Sequence, residues 1–170
     1  MKDYLIVDGY NIIGAWPELA KLRDIHLEDS RDRLIDILSD YQGYSGMTIY
    51  LVFDAYQVPG HGGIYEHSKL NVIYTKEKET ADELIERLVS DLTGRRRQVY
   101  VATSDMTEQH VVFGRGALRL PARELLIKIR ESHKDVRKQI NESTRSRNTF
   151  DSKMSQETRD IFEKWRRGDK

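Results

Sequence analysis

Three short apolar runs in this chain end on an aspartate: Tyr4-Leu5-Ile6-Val7-Asp8, Ile49-Tyr50-Leu51-Val52-Phe53-Asp54 and Val99-Tyr100-Val101-Ala102-Thr103-Ser104-Asp105. A fourth aspartate, Asp82, falls two residues after Thr80 at the head of an apolar-periodic segment. A single aspartate after a strand usually serves as a cap or a loop ion pair. Four at element ends point to a shared site, because anions gathered that closely repel one another and a divalent cation relieves the repulsion. Short carboxylates suit Mg²⁺ or Mn²⁺, which take oxygen ligands in octahedral geometry and keep several waters. An ion of this kind activates water and stabilises the charge that builds on a phosphodiester during in-line displacement, leaving a 5′-phosphate and a 3′-hydroxyl.

The elements that position these residues can be read from periodicity. The runs are rich in β-branched and aromatic residues and read as buried parallel strands over 3–8, 48–54 and 98–102, with further strands at 69–74 and 116–120. In an open α/β sheet the carboxyl ends of the strands line the ligand crevice, so neighbouring strands bring Asp8, Asp105 and, if its strand is adjacent, Asp54 to one place. Helices are expected at 17–24, led by Pro17, and at 28–42, closed by Gly43. The helix at 81–92 is the clearest element: Ala81, Leu84, Ile85, Leu88, Val89 and Leu92 share a face, and Thr80 and Glu83 form a capping box. A short helix is expected near 106–113, and Pro121 opens another that holds Leu125, Leu126, Ile127 and Ile129. The glycine-rich segment 55–68 reads as a mobile loop, 141–156 as a polar linker, and 156–167 as a last helix. Alternating strands and helices imply an α/β fold: a mostly parallel central sheet in a three-layer α/β/α arrangement.

Composition narrows the function classes. The 170 residues suit one domain plus an appendage, read as 1–132 and a basic helical extension over 133–170. There is no cysteine, which excludes disulfides, thiolate zinc sites and cysteine nucleophiles. No apolar run reaches the ~20 residues of a membrane helix, and Asp3 and Asp8 interrupt the first apolar stretch, so a cytoplasmic, monomeric protein with no membrane partner is the expectation. Residues 1–114 carry 12 Lys and Arg against 19 Asp and Glu, a net charge of −7, whereas 115–170 carry 16 against 9, a net of +7. A basic third beside an acidic body suggests an anionic polymer as partner, although a solvated helical tail gives the same pattern.

Other side chains have two readings each. Asn11 either orients the first carboxylate or a phosphate, or stabilises the turn beside Gly9; Ser104 either binds a phosphate or metal water, or caps a helix. Arg95, Arg96, Arg97, Arg115, Arg119 and Arg123 are candidate phosphate contacts, with Arg95–Arg97 read first as a basic turn after a helix C-terminus. Tyr10, Tyr56 and Tyr65 could stack on unpaired bases, and His61 and His67 could touch substrate. Trp16 and Trp165 are expected to pack. Without cysteine or an H-E-x-x-H spacing, zinc is not indicated, nor is a nucleotide-binding glycine loop.

At Val7-Asp8-Gly9-Tyr10-Asn11, Glu79-Thr80-Ala81-Asp82-Glu83-Leu84-Ile85 and Val101-Ala102-Thr103-Ser104-Asp105 the chain closely resembles NYN-domain ribonucleases of the PIN-like superfamily. The segments Gly60–Gly63 and Gly116–Glu124 extend the resemblance to the YacP-like bacterial branch. The resemblance implies a metal-dependent acidic site that cuts RNA, with acidic positions on Asp8, Asp82 and Asp105 and an accessory role for Asp54. It further implies an endoribonuclease that works with the ribosome and cleaves mRNA during translation. The rival expectations are a non-catalytic PIN-like module that binds RNA or the ribosome, and aspartate-based phosphoryl chemistry. The latter is disfavoured because Gly9 and Tyr10 follow Asp8 where a second acid is required.

Overall fold

In a computed structural model of the protein, the structure describes residues 1–55, 63–67, 70–104, 116–153 and 156–168. Six strands are present among them: β1 (Lys2–Asp8), β2 (Thr48–Phe53), β3 (Gly63–His67), β4 (Leu70–Tyr74), β5 (Arg97–Ala102) and β6 (Leu118–Leu120). The described helices are α1 (Gly9–Ala15), α2 (Pro17–Ile25), α3 (Leu27–Ser45), α4 (Ala81–Leu92), α5 (Ala122–Lys153) and α6 (Gln156–Arg167).

The sheet order is β3-β4-β2-β1-β5-β6. All neighbours are parallel except β3, which runs antiparallel to β4. Side chains alternate across the sheet, as strand geometry requires. Leu5, Val7, Ile49, Leu51 and Phe53 enter one core with residues of α1, α2, α3 and the start of α5. Tyr4, Ile6, Val52, Val99 and Val101 enter a second core with Ala81, Leu84, Ile85 and Val89 of α4. Both faces of the sheet are therefore covered, which is why its central strands read as continuous apolar runs. Trp16, at the α1–α2 junction, is 2% exposed and its Nε1 donates to the Ala122 carbonyl at 2.8 Å.

Several expectations are corrected. The first helix, α1, begins directly on the end of β1; two glycines among its seven residues give it the composition of a turn. Helix α3 runs past Gly43 to Ser45 and is closed by Gly46, whose φ of 72° is the left-handed conformation that a residue without Cβ adopts freely. The expected loop at 55–68 contains β3, whose residues Gly63 to His67 register against Tyr74 to Leu70. The expected linker at 141–156 is helical through Lys153. No glycine or proline interrupts α5, and its polar groups are satisfied locally: the Ser143 and Thr144 hydroxyls donate to the carbonyls of Gln139 and Ile140 at 2.9 and 3.0 Å. Trp165 does not pack into a core; it is 72% exposed, in edge contact with Phe162. The helix expected near 106–113 lies outside the described residues.

The chain divides into two compact units, Met1–Arg130 and Glu131–Lys170. The first holds the sheet and the cores on its two faces; the described part of the second is helical.

Candidate active site at the carboxyl edge of the sheet

Strand β1 is the turning point of the topology: the chain first builds outward through β2 to β4, then crosses to β5 on the other side. The crevice expected at such a switch point opens beyond the carboxyl ends of β1 and its neighbours. Asp8 ends β1 and lies level with Val52 of β2, while Val7 lies level with Ala102 of β5. Asp54, immediately after β2, and Ser104, two residues after β5, therefore flank Asp8 along one edge.

This edge is held by specific contacts. Asp8 occupies the N-cap position of α1, but its carboxylate makes no capping hydrogen bond. The cap reading for this aspartate is thereby removed. Gly9 is the only residue type that fits next to it: a Cβ there would come within 2.4 Å of the Phe53 ring and 2.9 Å of the Val52 carbonyl. The start of α1 is thus pressed onto the end of β2. On the other side, the Asn11 Oδ1 accepts from the Ser104 backbone N–H at 2.6 Å and from the Ser104 hydroxyl at 2.7 Å. Accepting an N–H fixes the orientation of the amide and leaves its NH₂ as the donor end. Asn11 and Ser104 together clasp the ends of β1 and β5 across the switch point.

Asp54 is bracketed in the same way. The Thr75 N–H donates to the Phe53 carbonyl at 3.0 Å, and the Ala55 N–H donates to the Thr75 hydroxyl at 2.8 Å. From Thr75 the chain turns into α4. Thr80 accepts from the Glu83 N–H at 3.2 Å and Glu83 returns the bond to the Thr80 N–H, completing the expected capping box. Glu79, joined to Arg87, also accepts from the Lys76 N–H. Asp82 is exposed in the first turn of α4, where the helix dipole favours an ionised carboxylate.

Tyr10 is not an open stacking platform. Its half-buried ring packs against Phe53 at 5.0 Å between centroids, and Phe53 in turn stacks on Tyr74 at 5.6 Å. Burial pushes the Tyr10 hydroxyl above its ordinary range, against the opposing pull of Arg31, which donates to it at 3.2 Å. Arg31 is a part of this edge that the sequence did not reveal, since one arginine on a charged helix face carries no mark of burial.

The remaining candidates separate clearly. Arg95, Arg96 and Arg97 stand at the beginning of β5, level with Lys2, on the opposite edge of the sheet from Asp8. They stand apart from the strand ends that carry Asp8 and Asp54. Arg119 in β6 and Arg123 in the first turn of α5 lie toward the carboxyl edge, with β5 between them and β1. Asp105, Arg115, Tyr56 and His61 lie outside the described residues, and Tyr65 and His67 are described in backbone only. Among the described residues, no three His, Asp or Glu side chains close into a metal-holding group. Asp8 and Asp54 at the strand ends, and Asp82 in the first turn of α4, carry carboxylate oxygens, the donor chemistry a hard divalent cation takes.

The YacP-like NYN domain model matches residues 5–167. The Bacillus subtilis (strain 168) protein YacP is 44% identical over 167 residues, 98% of each chain. The crystal structure of Rae1 (YacP) from Bacillus subtilis superposes with a TM-score of 0.75, covering 98% of this chain and 96% of that one. A mutant form of the same protein gives 0.75 over 84% of each chain. The motif-bearing strand ends, the sheet that aligns them and the near full-length match agree: this chain belongs to the YacP-like NYN-domain family, whose domain carries a nuclease-like, RNA-related function.

Proposed function

We propose that the protein is a metal-dependent endoribonuclease that cleaves single-stranded RNA, with mRNA on translating ribosomes as its substrate in the cytoplasm. The observation that carries this reading is the clasped carboxyl edge, where Asp8 stands between the strand ends that bear Asp54 and Ser104. Divalent-metal dependence is general among NYN and PIN-like domains. Asp8, Asp82 and Asp105 are assigned as ligands of Mg²⁺ or Mn²⁺, with Asp54 in support. When bound, the ion supplies an activated water and neutralises charge on the phosphodiester. The chain's own residues supply rigidity and orientation. Gly9 and Phe53 hold Asp8 against β2, the Asn11–Ser104 clasp holds β1 against β5, and the Thr80 cap aims the first turn of α4. Basic residues of the C-terminal third grip the phosphate backbone, so binding weakens as salt rises.

Purified protein should cleave single-stranded RNA in Mn²⁺, leave 5′-phosphate ends, and lose the activity in EDTA. Asp8→Asn and Asp82→Asn should each abolish cleavage with an unchanged circular dichroism spectrum. Cleavage retained in both variants rejects the site. RNA binding without cleavage under every metal condition turns the assignment to a binding module. Parallel assays on naked RNA and on translating ribosomes decide whether the ribosome presents the substrate.

A further inference from the structure

Arg31 of α3 is 8% exposed, and a buried guanidinium costs several kcal/mol unless it is well paired. Its carboxylate partner is poor: Nη2 lies 3.7 Å from a Glu28 oxygen, and the Glu28 side chain is 84% exposed. Such an ion pair is strongly screened by water. The better-defined contact is the bond from Nη1 to the Tyr10 hydroxyl at 3.2 Å. A guanidinium can only donate, so the tyrosine oxygen must accept, and the tyrosine's own proton is directed elsewhere.

The site of that hydroxyl gives the direction meaning. Tyr10 follows Asp8 by two residues, and its ring is seated on Phe53, the residue before Asp54. The ring is therefore anchored beside the two strand ends that carry the carboxylates. We propose that Arg31 turns the Tyr10 hydroxyl to donate a hydrogen bond to a non-bridging phosphate oxygen of RNA bound at the Asp8–Asp54 edge. Tyr10 is then a substrate-contacting residue and Arg31 its positioning residue. The inference rests on the nuclease reading above. It replaces base stacking by Tyr10, which the Phe53 contact obstructs, with phosphate recognition.

The test uses full-length protein and a short single-stranded RNA in Mn²⁺. Tyr10→Phe keeps the ring on Phe53 and removes only the hydroxyl. It should lower kcat/KM about 10- to 100-fold, the size of a hydrogen bond to a charged oxygen, with a folded circular dichroism spectrum and a melting temperature lowered by the loss of the Arg31 acceptor. Arg31→Met should give a similar loss that does not add to that of Tyr10→Phe, and Arg31→Lys should restore part of it. If Arg31→Met fails to fold, Tyr10→Phe and Arg31→Lys still decide. A phosphorothioate at the contacted oxygen, a weaker acceptor, should slow the wild type more than it slows Tyr10→Phe; a purely structural role for Tyr10 would leave the two slowed equally. Wild-type cleavage by Tyr10→Phe, with Asp8→Asn inactive, overturns this inference and leaves the nuclease reading standing. Wild-type protein that leaves RNA intact overturns both.

Discussion

The two units of this chain solve opposite problems, and they differ in both the density and the sign of their charge. Met1–Arg130 carries 17 Lys and Arg against 20 Asp and Glu; Glu131–Lys170 carries 11 against 8. In the first unit, polar side chains at the carboxyl edge bond to partners distant in sequence, as in Asn11 to Ser104 and Arg31 to Tyr10. In the second, Ser143 bonds to Gln139 and Arg167 to Glu163, each within about one helical turn. Its apolar residues Val136, Ile140, Ile161, Phe162 and Trp165 are exposed. Long-range bonds over a packed sheet fix side chains to the tolerance that chemistry on a phosphodiester needs. Solvated helices with basic side chains fix little, but present charge to a polyanion along their length.

The sharpest contrast lies between two phenylalanines. Phe53 is fully buried under Tyr10 and Tyr74, and Phe53→Ala should cost about 3–5 kcal/mol by chemical denaturation, with loss of cleavage because Asp54 and Gly9 lose their support. Phe162→Ala, at a side chain 52% exposed, should change stability by no more than about 0.5 kcal/mol. Equal losses at the two sites would break the contrast. A smaller effect is expected from charge. Lys134, Arg137, Lys138 and Arg145 line one shallow groove on α5. Replacing all four with Gln should weaken single-stranded RNA binding and flatten its salt dependence by about 0.7 for each phosphate no longer neutralised, while leaving the melting temperature unchanged. The same replacement at Arg95, Arg96 and Arg97, on the far edge of the sheet from Asp8, should leave the slope near that of the wild type. Asn11→Ala comes next. Removing the acceptor costs about 0.5–1.5 kcal/mol, because exposed Ser104 turns its donors to water, and cleavage should fall more than stability alone explains.

These contrasts also mark what could be read from the sequence. The strand ends are legible because a two-sided sheet forces apolar runs, and the α4 cap because Thr80 and Glu83 are a local signal with a fixed spacing. Asp8 and Asp82 can therefore be picked out by element alone. The bonds that assemble the edge cannot. Asn11 and Ser104 are 93 residues apart, and nothing in either neighbourhood announces the other. Arg31 resembles any arginine of a charged helix, and only its burial sets it apart. Composition misleads at the helices: serine, threonine and asparagine make 141–156 look like a linker, although the segment holds no glycine or proline and continues as α5 through Lys153, with the Ser143 and Thr144 hydroxyls bonded back to carbonyls four residues earlier. Gly43 is a plausible stop, but the left-handed residue that closes α3 is Gly46.

The mildest expected effect is a pH dependence confined to the first unit, because no tyrosine occurs in residues 131–170. Burial pushes the Tyr41 hydroxyl above its ordinary value. The folded chain then holds this proton more tightly than the unfolded chain, whose tyrosine titrates near 10. Below that pH both states are protonated and the contribution of Tyr41 is fully present. As pH rises past about 10 the unfolded state releases its proton first, binds fewer protons than the native state, and drops in free energy relative to it, so stability falls until the folded tyrosine also ionises. Tyr41→Phe lacks the proton in both states. The difference in unfolding free energy between wild type and Tyr41→Phe should be constant from pH 7 to about 9.5 and then shift against the wild type above about 10. A difference that stays flat to pH 11 would mean that Tyr41 ionises as freely in the folded chain as in the unfolded one, and that the helix α3 face holding it is more open than its packing implies.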